Sequence, residues 1–133
     1  MTDDHPVDGL PTPSPADAPG DVVTQQLDAL ASNDDPVADA GVLTAYNFAS
    51  PGNRRATGPR RRFVRMVHGP RYAPMIDHVE AVRGPIEGDG DRASQRVTLT
   101  GPEGRTVTYR FGLSVQPTGP FADCWMTDSV VVD

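Results

Sequence analysis

Seven arginines, Arg54, Arg55, Arg60, Arg61, Arg62, Arg65 and Arg71, lie between Asn53 and Arg71 with no acid among them. Guanidinium forks match the oxygens of carboxylates and phosphates, and the free N–H groups at a helix start add to that field. Arg60, Arg61, Arg62 and Arg65 are therefore candidate anion ligands, although the first turn of a helix is the electrostatically unfavourable end for cations. The plainer alternative is a solvated face whose aliphatic stems cover apolar neighbours. Another is a face that pairs with the acidic N-terminal residues, since nine acids and no arginine precede residue 40. A net charge of −6 argues against a nucleic-acid surface.

Asp128, inside the closing apolar stretch from Trp125 to Val132, is the candidate catalytic residue. A carboxyl group among apolar side chains has its pKa raised toward neutrality, which suits proton abstraction beside a carbonyl. Strand alternation leaves its direction open. If Met126 faces the core, so do Asp128 and Val130; if Trp125 does, Asp128 faces solvent. His68, and His78 near Glu80, lack a paired metal-ligand spacing, and Cys124 reads as a small buried hydrophobe. Glu87-Gly88-Asp89-Gly90-Asp91 lacks the spaced oxygen series of a calcium loop and reads as a strand-connecting turn. With no P-loop or dinucleotide fingerprint, neither a cofactor nor a metal is expected.

The elements that must position these residues change character along the chain. Residues 1–20 hold five prolines, four aspartates and few apolar residues, which predicts a disordered tail before a single domain over 21–133. Asp21 reads as the N-cap of a helix through Ser32, with Val23, Leu27 and Leu30 on one stripe. A second helix is expected over Val42 to Ala49 with Leu43 and Tyr46 on its buried side. Ser50-Pro51 opens a short third helix ending at Gly58, and Pro59 opens a fourth, with Phe63, Met66 and Val67 inward. Tyr72 to Ile76 reads as an irregular connection because of Pro74.

From Asp77 the period becomes strand-like, with strands expected over His78–Arg83, Arg92–Thr100, Arg105–Gln116 and Cys124–Val132. Gly101-Pro102-Glu103-Gly104-Arg105 suits a three-residue hairpin loop that pairs Gly101 with Arg105. That pairing sets Leu99 opposite Val107, Val97 opposite Tyr109, Gln95 opposite Phe111 and Ala93 opposite Leu113, with every apolar partner on one face. A one-residue slip would destroy the match. Gln95 is thereby placed on the core face, where its amide needs partners: the covering helices, or a polar ligand. Helices followed by an antiparallel sheet predict an α+β fold in which the helices cover the apolar face.

Gln26-Leu27-Asp28-Ala29-Leu30 with Asn33-Asp34, Asn47-Phe48-Ala49-Ser50-Pro51 with Asn53-Arg54, and Thr57-Gly58-Pro59 resemble an uncharacterised domain-of-unknown-function family. Phe63-Val64-Arg65-Met66, Tyr72 with Pro74-Met75, Gln95 with Val97, and Trp125 extend the likeness over roughly residues 21–132. The family looks like a reduced relative of the nuclear transport factor two-like, or cystatin-like, cone, in which helices fill the concave side of a bent sheet. That resemblance implies no catalytic residues to carry over, and one scaffold hosts unrelated activities. The superfamily's inward-packing tryptophans would favour a surface Asp128.

Two readings follow, beside the anion-binding one. The first is a non-catalytic module that binds a small molecule or a protein, as a candidate homodimer, with Gln95, Tyr46 and Phe111 as ligand contacts. The second is a cofactor-free isomerase, cyclase or dehydratase with Asp128 as base and Tyr46 or Gln95 as donor.

Cellular setting is read from composition. The acidic start Met1-Thr2-Asp3-Asp4-His5 lacks the positive charge of a signal peptide, and no apolar run reaches ~20 residues, so a cytoplasmic protein without a membrane partner is expected. All 12 basic residues are arginine and 15 of the 18 acids are aspartate, a bias compatible with a salt-rich host.

Overall fold

A computed structural model describes residues 7–133, so Met1 to Pro6 of the expected tail lie outside the described residues. Four helices, α1 (Pro19–Ala31), α2 (Ala40–Phe48), α3 (Pro51–Thr57) and α4 (Arg60–Val67), precede four strands, β1 (Glu80–Asp89), β2 (Arg92–Thr100), β3 (Thr106–Val115) and β4 (Trp125–Val132). The strands form one antiparallel sheet in the order β1-β2-β3-β4. The fold is thus the α+β arrangement expected, with the helices packed on one face of a sheet that two bulges bend.

Helix boundaries follow local chemistry with small departures. α1 starts three residues earlier than expected, with Ala18 as its N-cap and Pro19 as its first residue, because Asp21 acts from inside the first turn: its carboxylate accepts the Ala18 amide at 2.9 Å. Ser50 caps α3 as expected, its hydroxyl accepting the Asn53 amide at 3.2 Å. Pro74 sits within one 3₁₀ turn, Ala73–Met75, rather than in irregular chain, since proline is tolerated in a first turn whose N–H needs no partner.

The β2–β3 hairpin has the derived register: Leu99 pairs Val107, Val97 pairs Tyr109, Gln95 pairs Phe111 and Ala93 pairs Leu113. Its loop closes through the Gly101 amide to the Arg105 carbonyl at 2.8 Å. Val22, Val23, Leu27 and Leu30 of α1 and Tyr46 of α2 bury against Val97, Leu99, Tyr109 and Phe111 of that hairpin. β1 is the strand the sequence places worst, running from Glu80 instead of His78 and on to Asp89. It is exposed almost throughout and skips register between Arg83 and Ile86, so it shows no alternation to read.

The chain before α1 is held to the domain. Asn47 is fully buried; its Oδ1 accepts the Val7 amide at 2.7 Å, and its Nδ2 donates to the carbonyls of Val7 (3.2 Å) and Pro11 (3.1 Å).

Candidate functional site

Between the helices and β4 lies a cavity of about 230 Å³. Its apolar walls come from Phe63, Met66 and Val67 of α4, Met75 of the 3₁₀ turn and Phe111 of β3. The opposite wall is a run of β4 from Thr127 to Val130, with Gln26, Asn53 and Thr57 beside it.

What shapes that wall is a bulge. Leu113 pairs Thr127, whereas Gly112 pairs Ser129, which leaves Asp128 as the extra residue on β4. Trp125, opposite Val115, packs on the core, and Thr127, opposite Leu113, is buried as well. Strict alternation from an inward Trp125 would send Asp128 to the surface. The bulge interrupts that alternation, so Asp128 is half-buried and lines the cavity although Trp125 is inward. Gly112 lies opposite the distortion, and a Cβ there would stand 2.8 Å from the Ser129 hydroxyl, which would have to turn away.

Hydrogen bonds from three elements lock the bulge. Gln26 of α1 donates through Nε2 to the Thr127 hydroxyl at 2.8 Å and to the Val22 carbonyl at 3.1 Å. The Thr127 carbonyl accepts the Ser50 amide at 2.8 Å and Asn53 Nδ2 at 3.1 Å. Beyond Asp128, the Tyr72 hydroxyl donates to the Val130 carbonyl at 2.7 Å. The backbone is therefore pinned on both sides of Asp128, whose own carboxylate makes no hydrogen bond or ion pair with another described residue.

The other expected ligand contacts are not gathered here. Phe111 lines the cavity, but Tyr46 lines a separate cleft of about 560 Å³ with Arg54, Gln116, Phe121 and Met126. Tyr46 is buried edge-on against Phe63, with ring centroids 5.3 Å apart, and carries the Arg54 guanidinium over its face at 4.8 Å. Gln95 lines neither space. Its Nε2 donates to the Gly84 carbonyl at 2.8 Å, so it serves the bulge in β1, while its Oε1 is buried without a partner among the described residues.

Of the candidate anion ligands, Arg60 lies 5.8 Å from the Tyr46 ring, while Arg61, Arg62 and Arg65 are exposed along α4. The arginine with the most evident structural task is Arg54. It is buried and donates to the carbonyls of Tyr46 (3.2 Å) and Asn47 (3.3 Å) at the end of α2, where the helix dipole favours a cation.

The histidines serve local structure. His78 Nδ1 contacts the Met75 carbonyl at 2.8 Å, and His68 pairs Asp39 at 2.7 Å. Burial pushes the Asp39 carboxyl up, but the Asn33 hydrogen bond and His68 outweigh it and hold the group below its ordinary value. Burial raises the Cys124 thiol, the inert state of a packed cysteine. Among the described residues no three His, Cys, Asp or Glu side chains group closely enough to hold a metal ion, and no helix is long and apolar enough to cross a membrane.

The residues that sequence reasoning passed over are Gln26, Asn53 and Thr127, which build the bulge rather than contact it incidentally. Gly112 was the available signal, an isolated glycine inside an otherwise regular alternating strand. No curated protein and no solved structure matches the chain. The model of the family described as domain of unknown function (DUF4864) matches residues 16–132, so the whole helix-and-sheet unit around this cavity belongs to that family.

Proposed function

We propose that the domain is a non-catalytic binding module that takes a small apolar molecule into the cavity under β4. The cavity itself carries the reading: about 230 Å³ of space, apolar where α4, Met75 and Phe111 line it, with polar groups gathered where Thr127 to Ser129 of β4 meet Gln26 of α1 and Asn53 and Thr57 of α3. Such a division orients a ligand with an apolar body and one polar end, and the size is below the ~300 Å³ at which drug-sized pockets begin. Helices on the concave face of a bent sheet also support kinship with the nuclear transport factor two-like cone. N-phenyl-1-naphthylamine, uncharged and emissive only out of water, tests the reading. Wild-type protein is expected to give a saturable one-site rise in emission. Ala56→Trp, at an exposed position lining the cavity, is expected to abolish it without altering the circular dichroism spectrum. Equal responses from both proteins would place the dye elsewhere and refute the reading.

One observation favours a second reading, a proton-transfer enzyme with Asp128 as base: the carboxylate lines the cavity with no partner among the described residues. The donors expected to assist it, Tyr46 and Gln95, lie outside this cavity, and for that reason binding is preferred.

A further inference from the structure

Resting on the binding reading, we infer that the cavity selects its ligand by charge: Asp128 makes it a site for an apolar molecule bearing a protonated amine, and a poor one for a carboxylate of the same shape. Among the described residues lining the cavity, Asp128 is the sole aspartate, glutamate, lysine, arginine or histidine, so none of the α4 arginines offsets it at the wall.

The donor inventory points the same way. Gln26 has committed Nε2 to Val22 and Thr127, Asn53 has given one N–H to the Thr127 carbonyl, Thr57 donates its hydroxyl to the Asn53 carbonyl at 3.0 Å, and Tyr72 donates to Val130, which leaves the Thr127 and Ser129 hydroxyls, on either side of Asp128 in the chain, and the second Asn53 N–H. A carboxylate entering the cavity would lose its water and could reach those donors only beside the like charge of Asp128, which is costly for an anion. An ammonium brings its own donors to a carboxylate that has no internal partner to give up. Position is fixed in advance as well. Thr127 and Val130 are both pinned, so the backbone that carries Asp128 is fixed before a ligand arrives, and only the torsions of its short side chain remain to be ordered on binding.

Three probes that share a naphthalene body separate this from the cavity reading: 1-naphthylmethylamine, 1-naphthylmethanol and 1-naphthoate, each titrated calorimetrically. Wild-type protein is expected to bind the amine about tenfold tighter than the carboxylate, the modest ratio reflecting a half-buried charge, with the alcohol between them. Asp128→Asn should bring all three within about threefold while still binding the alcohol, which also certifies its fold, and Asp128→Glu should keep the amine preference. Asp89→Asn, at the exposed far end of β1, removes the same charge and should change nothing.

Equal affinities in the wild type would overturn charge selection and leave the cavity standing. A preference that survives in Asp128→Asn, or is lost equally in Asp89→Asn, would assign it to net charge and overturn the role of Asp128. Failure of all three probes to bind would overturn the cavity reading and this inference together.

Discussion

Gly104 holds φ at +88°, with nothing within 4 Å of where a Cβ would stand. A side chain there meets no neighbour, so the cost of placing one is backbone strain alone. Gly104→Val is expected to destabilise the domain by about 1–2 kcal/mol, because a β-branched residue tolerates positive φ worst. Glu103→Ala, one residue away on the same exposed tip, should stay within about 0.5 kcal/mol. Urea unfolding of the two variants beside the wild type measures the contrast. Equal stability would mean that the loop relaxes into another turn and that register does not depend on Gly104. At the same scale, Gln95 shows how a correct direction can mislead about role: it faces the core opposite Phe111 as derived, and its amide is spent on a bulge carbonyl.

The decisive join between elements is that of α1 to β4. Gln26 and Thr127 are both buried, and their bond connects positions 101 residues apart. Thr127→Val keeps the shape but leaves a Gln26 N–H without its acceptor, and is expected to cost about 1–3 kcal/mol, the desolvation penalty of a stranded donor. Adding Gln26→Leu removes the stranded group. The double variant should therefore be more stable than the sum of the two single losses, by about 1 kcal/mol in a double-mutant cycle on thermal or urea unfolding. Additive losses would mean that the pair is not coupled and that the bulge is held by Ser50 and Asn53 alone.

At the scale of the whole molecule, the segment ahead of α1 is tied to α2 by hydrogen bonds. On composition, deletion of residues 1–20 is expected to leave the melting temperature nearly unchanged. The three hydrogen bonds between Asn47 and the segment from Val7 to Pro11 alter that expectation, as does the burial of Pro13. Removing residues 1–16, which spares the Ala18 cap of α1, should lower stability by about 1–3 kcal/mol, since water replaces part of what Asn47 loses. A thermal melt of the truncated chain checks this, and an unchanged midpoint would show that the segment adds nothing. The arginine-rich segment also resolves at this scale, because its members divide into a buried helix cap, Arg54, a half-buried Arg60 near the Tyr46 ring, and exposed side chains at Arg55, Arg61, Arg62, Arg65 and Arg71.

The β2–β3 hairpin could be read residue by residue because turn chemistry and alternation are local. Five consecutive residues set the loop, and the loop sets every pair beyond it. The helix start at Pro51 was legible for the same reason, and that of α4 to within one residue, since Pro59, expected to open the helix, is its N-cap. Phe111 and Asp128 could be named as candidates from their types and strands, but what they line could not. Asp128 reaches the cavity because β4 slips one residue against β3, and that slip is held by Gln26, Ser50 and Asn53, which lie far away in the chain. A period-two pattern carries no record of an inserted residue, and a glutamine on a helix does not announce which strand it will meet. Those are long-range pairings, and their energies exist only once the helices have packed onto the sheet.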